Sequence, residues 1–291
     1  MEFMQPGTWA DALAAKAEVP AALPIIGGTD VMVDLNFDRQ RPSALLDLTR
    51  VADLADWAVE DGLLRIGAGV TYTRIIHELA DRLPGLAMAS RTVGSPQIRN
   101  RGTVGGNLGS ASPAGDAHPP LLAADALVEV GSVRGTRRMP IADFFTGPKR
   151  HALAPDELIA AFLVPPAGGP QQFAKIGTRN AMVIAVASFG LALHPEHGTV
   201  GAALGSAAPT PLFAREAAAF AGAELRDTGL WASRAALPAA VAERFGELVA
   251  AAASPIDDVR GSAAYRRHAL AVLAKRTLIW AWDDYRRGSF G

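Results

Sequence analysis

Between Thr103 and Asp116 the chain reads TVGGNLGSASPAGD, four glycines with one Asn and one Asp in a stretch that offers little to a core. Any fold for this chain must put that stretch where a nearly bare backbone is useful. The pair Gly105 and Gly106 lets backbone N–H groups approach a ligand or turn through positive φ, and the adjoining Thr, Asn and Ser residues add side-chain hydrogen bonds. That is the chemistry of a phosphate-binding loop, although a single GG pair is more often a turn between strands. A second stretch of the same character tips the reading. Leu23 to Ile26 form a short buried strand that runs into Gly27, Gly28, Thr29 and Asp30 and on into the apolar VMVDL. Several N–H groups converge there with no Cβ in the way. Neither stretch has the spacing of GxGxxG or a GK[ST], so neither is a familiar nucleotide signature.

Around these two loops the pattern alternates strand and helix. Thr8 caps a short amphipathic helix, TWADALAAKA, with Asp11 in its first turn. LLDL at 45–48 and GLLRIGAG at 62–69 read as strands, TYTRIIHELADRL as a helix closed by Pro84 and Gly85, and PPLLAADA as a short helix. Leu127 to Val130 and Arg137 to Ile141 form a strand and its return, while DELIAAFLVP is helix-like or extended. AGGP at 167–170 is the candidate domain boundary. Beyond it come FAKIG, a long apolar strand over Met182 to Leu193, the turn HPEHG and a return strand over Val200 to Gly205. Three alanine-rich helical segments follow, Arg215–Glu224, Pro238–Ala253 and Ser262–Arg287. The expected class is α+β: residues 1–168 in two lobes, about 1–56 and 57–168, then a unit at 169–291 with a small antiparallel sheet and helices.

With 49% hydrophobic residues in 291, the chain can fill such cores. A net charge of −1 with both signs scattered gives no electrostatic reason for a nucleic-acid or anionic-membrane partner. No apolar run reaches membrane-spanning length, and Glu2, Asp11 and Glu18 stand where a signal peptide would be basic and then apolar. A cytoplasmic location is expected. Cysteine is absent, so the chain itself holds no disulfide, thiolate zinc site or iron–sulfur cluster. His77 lies on a helix with no ligand one turn away, and His194 and His197 flank a turn without a third candidate, so no metal site is assigned. Arg91, Arg99 and Arg101 cluster ahead of the second loop, as anion contacts or as solvated charge.

The combination PIIGGTD, TVGGN and ASPAGD, followed by FAKIGTRNAMVIAVAS, resembles the FAD-binding middle subunit of the molybdenum hydroxylases, the xanthine dehydrogenase and carbon monoxide dehydrogenase group. The resemblance covers nearly the whole chain. It implies an FAD-binding domain of the p-cresol methylhydroxylase type, then a C-terminal domain of the carbon monoxide dehydrogenase flavoprotein type. It assigns Pro24, Ile25, Ile26, Gly27, Gly28, Thr29, Asp30 and Val31 to one loop gripping the FAD pyrophosphate and ribityl region. Thr103, Val104, Gly105, Gly106 and Asn107 form the other, and Ser112 joins the cofactor-binding set. Asp116 would accept hydrogen bonds from the adenosine ribose, Ile159 would pack near the cofactor, and Lys175 would lie against the flavin ring as a fixed cation. A side chain at Gly105 is expected to occupy the space of the pyrophosphate. Where many relatives carry an acidic residue, this chain has Val183.

The implied function is the electron-transfer subunit of a heteromeric oxidoreductase. An iron–sulfur small subunit and a molybdopterin large subunit, as a dimer of heterotrimers, would supply the [2Fe-2S] clusters and molybdopterin that a chain without cysteine must borrow. NAD, oxygen or a quinone would take the electrons, and no catalytic residue is assigned in this chain. The substrate would be set by the molybdenum subunit; the GGTD loop and the AMxI run lean towards xanthine, aldehyde or other N-heterocycle hydroxylases. A stand-alone FAD-dependent reductase or oxidase of the same fold, and a non-catalytic nucleotide-binding module, are the alternative readings.

Overall fold

Three larger sheets follow one another along the chain in the computed structural model, which describes residues 1–289, and a two-stranded ribbon accompanies the second. The first is parallel, with strand order β1-β3-β2, and is built from β1 (Glu2–Met4), α1 (Trp9–Glu18), β2 (Leu23–Ile25), α2 (Val31–Asn36) and β3 (Ala44–Asp47). Thr8 caps α1, its Oγ1 accepting from the Asp11 N–H at 3.1 Å. VMVDL is helical and does not prolong the strand. Gly28, at φ +74°, turns the chain out of β2, after which Met32 N–H reaches the Gly28 carbonyl at 3.0 Å.

The second lobe holds the five-stranded antiparallel sheet β4-β5-β10-β6-β7. It begins with a 3-10 turn at Ala52–Leu54, β4 (Trp57–Glu60) and β5 (Leu63–Gly67). Five helices follow: α3 (Tyr72–Glu78), α4 (Pro84–Thr92), α5 (Pro96–Arg101), α6 (Val104–Ser110) and α7 (His118–Ala123). Then come β6 (Leu127–Ser132), β7 (Gly135–Pro140), α8 (Ile141–Phe144), β8 (Phe145–Gly147), β9 (Arg150–His151) and β10 (Leu158–Val164). The ambiguous LIAAFLV is therefore a strand. It lies in the middle of the sheet with all seven residues buried, and burial on both faces removes the alternation that would have identified it. Pro84 opens α4 at the first helical position, where its missing N–H costs nothing, so it begins a unit instead of closing one.

The C-terminal sheet β11-β12-β13-β14 consists of β11 (Gln171–Ile176), β12 (Ala187–His194), β13 (Thr199–Gly205) and β14 (Leu212–Phe213). Residues 182–186 stay outside β12, because Met182 at φ +51° breaks the extended run. Four helices follow: α9 (Arg215–Asp227), α10 (Leu230–Ser233), α11 (Ala239–Ala252) and α12 (Ala263–Arg287). Phe189, Phe245, Leu270 and Trp282 are fully buried in the core between these helices and the sheet. Toward the N-terminal region the sheet receives α7 almost backbone to backbone. A Cβ on Gly201 would collide with the Ala123 carbonyl, and one on Gly190 would lie 2.7 Å from the Pro120 nitrogen. His194, one of the two histidines beside the hairpin turn, places Nε2 3.1 Å from the same Ala123 carbonyl oxygen. No described helix is long and apolar enough to cross a membrane.

Candidate functional site

The two glycine stretches, far apart in the sequence, meet in the fold. A Cβ on Gly27 would run into the Arg101 carbonyl just ahead of the second stretch, and the Ile26 side chain reaches to 3.9 Å from where a Gly106 Cβ would stand. The second stretch is a helix start, not a loop. Thr103 caps α6, its Oγ1 accepting from Gly106 N–H at 2.9 Å, and Val104 and Leu108 are fully buried, so this stretch contributes to the core after all.

The adjacent glycines divide the work. A Cβ on Gly105 would come within 2.5 Å of the Cα, Cβ and carbonyl oxygen of Ala68, so this glycine lets α6 press against the turn after β5. The expectation that a side chain at Gly105 fills ligand space is thereby corrected: it would strike protein first. Gly106 and Gly109 are the exposed members, and a Cβ on Gly109 would meet only Ile159 Cδ1, at 3.7 Å. The bare helix backbone at these two positions is thus open to a ligand, with Ile26 of the first loop nearest Gly106 and Ile159 of β10 nearest Gly109. Asp30 stands near Ser110; burial, reinforced by Asp34, raises its carboxyl above the ordinary value, while Ser110 and Lys149 pull it back. Beside the first loop a cavity of about 120 Å³ opens among Ile26, Leu54, Thr71, Arg101 and Thr103.

At the far end of α6, Ser112 shapes the turn to Asp116, its Oγ accepting from Ala114 N–H at 3.3 Å. Asp116 Oδ2 accepts from Lys175 Nζ at 2.5 Å, and both side chains are about one-tenth exposed. Lys175 also donates to the carbonyls of Thr92 at 3.0 Å and Val183 at 3.2 Å, so its three protons are all committed within the protein. Burial pushes the Asp116 carboxyl up, and the Lys175 ammonium opposes that rise. Asp116 Oδ1 and Asn107 Oδ1 are buried without a hydrogen-bond partner. A buried acceptor left alone costs about 1–3 kcal/mol, so a hydroxyl or N–H donor that reached either oxygen would be stabilising.

Sequence reasoning missed three contributors. His118, fully buried, donates from Nε2 to the Asn107 carbonyl at 3.2 Å and lies 4.6 Å from the Phe145 ring; burial lowers its pKa to about 4, so it is neutral. Thr92 and Val183 act through backbone carbonyls, which no side-chain motif marks. Of the three arginines, Arg99 closes the end of α4 by donating to the carbonyls of Arg91, Val93 and Gly94, Arg101 lines the cavity, and Arg91 is exposed.

Residues 1–167 match the family described as the FAD binding domain in molybdopterin dehydrogenase, and residues 172–281 match the CO dehydrogenase flavoprotein C-terminal domain. The chain is 32% identical over 286 residues to a putative xanthine dehydrogenase FAD-binding subunit of Escherichia coli (strain K12), covering 95% of this chain and 94% of that one. It is 37% identical over 202 residues to the nicotinate dehydrogenase FAD-subunit of Eubacterium barkeri, covering 66% and 68%. A carbon monoxide dehydrogenase structure from Hydrogenophaga pseudoflava, one lacking the Mo-pyranopterin moiety of the molybdenum cofactor, superposes with a TM-score of 0.87 at 26% identity over 97% of each chain. Two adjoining family matches in the expected order, with a relative 32% identical over nearly the whole of both chains, lead to one conclusion: the chain belongs to the FAD-binding subunits of the molybdopterin dehydrogenases.

Proposed function

We propose that the chain holds FAD between the GGTD loop and α6 and serves as the electron-transfer subunit of a heteromeric, molybdenum-containing hydroxylase or dehydrogenase. The observation that carries this reading is the bare face of α6 at Gly106 and Gly109, together with the unpartnered Oδ1 atoms of Asn107 in that helix and Asp116 in the turn after it. A pyrophosphate can approach such a backbone closely, and sugar hydroxyls supply the donors those oxygens lack. Pro24 to Val31 and Thr103 to Asn107 form the two sides of the clamp, with Ile159 as its apolar wall. Lys175 contributes a fixed charge: with all its protons committed, it acts electrostatically and not as a swinging hydrogen-bond donor.

Bound FAD supplies the ability to accept electrons singly and release them as a pair. The chain's own residues orient the cofactor, exclude water and set the local charge. The electron donor is an iron–sulfur subunit, the hydroxylation takes place on a molybdopterin subunit, and NAD, oxygen or a quinone accepts the electrons; the absence of cysteine from this chain supports that division of labour.

Expression of the chain alone tests the first half of this reading. A folded protein that takes up about one FAD per chain supports it; a folded, colourless protein that takes up none on reconstitution overturns it. Purification from its native cells tests the second half. Two partners, one cysteine-rich and one much larger, are expected to accompany it.

A further inference from the structure

The supports of the Lys175–Asp116 pair lie in the C-terminal unit. Lys175 is held by the Val183 carbonyl, in the segment that joins β11 to β12. Arg179, within that segment, donates to its own neighbours, the carbonyls of Ala181 and Met182. The exit of the segment is fixed from α12. Arg266, 4% exposed, donates from Nη1 to the Val186 carbonyl at 2.7 Å and the Ser206 carbonyl at 3.1 Å, and from Nη2 to Asp258 Oδ1 at 2.7 Å. Ser206 passes the constraint on: its hydroxyl donates to the Ala185 carbonyl at 2.8 Å and its N–H to the Pro113 carbonyl at 2.8 Å. Pro113 opens the turn that ends at Asp116. One guanidinium therefore braces the segment that holds Lys175 and the turn that leads to Asp116.

A buried guanidinium is costly, and an apolar side chain would fill the same space on α12 without that cost. What an apolar side chain lacks is a rigid planar fork able to bind carbonyls on two separate segments at once. We propose that Arg266 is a positioning residue for the Lys175–Asp116 pair, acting through the Val186 and Ser206 carbonyls. The inference rests on the reading that FAD lies between the GGTD loop and α6. On the resemblance that sets Lys175 against the flavin ring, its consequence for the cofactor would be electrostatic: a cation that drifts from that ring would stabilise the reduced flavin less, and the reduction potential would fall.

The test uses the full chain carrying Arg266→Met. In the flavin-free protein, amide hydrogen exchange over residues 182–186 is expected to accelerate about tenfold while β13 and α11 keep their protection. In the FAD-loaded protein, the ratio of reduced to oxidised flavin at a fixed potential is expected to fall about tenfold, which for a two-electron couple is about 30 mV. Once Lys175→Met is present, Arg266→Met should add no further shift, because both act through the same ammonium. Arg266→Lys is expected to recover part of the loss. Unchanged exchange, an unchanged potential, or a shift that persists in full beside Lys175→Met each overturn the proposal. General loosening of α12 and β13 overturns it too, by showing a merely structural role. If Arg266→Met fails to fold, Ser206→Ala, which removes only the hydroxyl bond to Ala185, carries the same measurements with a smaller shift of the same sign. A wild-type chain that takes up no FAD refutes the reading of FAD binding, while the exchange arm still decides whether Arg266 positions the pair.

Discussion

Lys175 Nζ lies 2.5 Å from Asp116 Oδ2, which ties the first strand of the C-terminal sheet to the turn that follows α6. Because the pair spans the two family domains, it exists only when both are folded and docked.

Removing the cation should expose the cost of the carboxylate. Lys175→Met leaves Asp116 buried without its counter-charge and is expected to lose about 3–5 kcal/mol near neutral pH. The sign follows from proton linkage. Burial already raises the Asp116 carboxyl, and without Lys175 it rises further, so the folded state retains a proton that the unfolded chain has released. The variant should therefore recover stability as pH falls towards the ordinary carboxylate range. Urea unfolding at pH 7.5 and pH 5 measures this; an equal deficit at both values would refute it.

Gly105 and Gly106 should respond oppositely to alanine. Gly105→Ala drives a methyl group to 2.5 Å from the Ala68 backbone and is expected to cost about 1–3 kcal/mol of folding stability. Gly106→Ala meets Thr103 Oγ1 at 3.1 Å and Ile26 Cγ2 at 3.9 Å, and adding a helix former there offsets most of that crowding, within about 1 kcal/mol. Its expected loss is in FAD retention. Thermal melts combined with flavin content separate the two effects.

His118 makes stability fall on the acid side. Its folded pKa, about 4, lies below the ordinary 6.5, so the unfolded chain binds a proton that the folded one refuses. The stabilisation is complete above pH 6.5 and is lost as pH falls towards 4, to a limit of about 3 kcal/mol. His118→Gln should flatten this part of the pH–stability curve. A variant with the wild-type slope between pH 6.5 and pH 4.5 would assign the dependence to other groups.

Gly201→Ala should loosen the junction between the two domains. The new methyl group would overlap the Ala123 carbonyl, backbone against backbone, with no rotamer to relieve it, and about 3 kcal/mol of stability is expected to go. Limited proteolysis at residues 165–170 should accelerate. Gly7→Ala, which meets nothing within 4 Å, is the control and should cleave at the wild-type rate.

Much of this protein is legible before folding. The two glycine stretches, the lack of cysteine, the Thr8 cap and the amphipathic helices of the C-terminal third depend on composition or on residues within a few positions of each other, and periodicity and turn chemistry read such signals directly. The remainder depends on partners distant in the chain. LIAAFLV became a strand because β5 and β6 offered it hydrogen bonds on both sides, and a uniformly apolar run carries no period of its own. Gly105 is buried against Ala68 and Gly106 is exposed, although as adjacent glycines they are indistinguishable in sequence. The sequence by itself marked where a bare backbone would be needed and that the chain carries no thiolate ligands; only the tertiary structure decided that Lys175 is held by Asp116, Thr92 and Val183, because two of those three contacts are to carbonyls, which every residue possesses and no motif distinguishes.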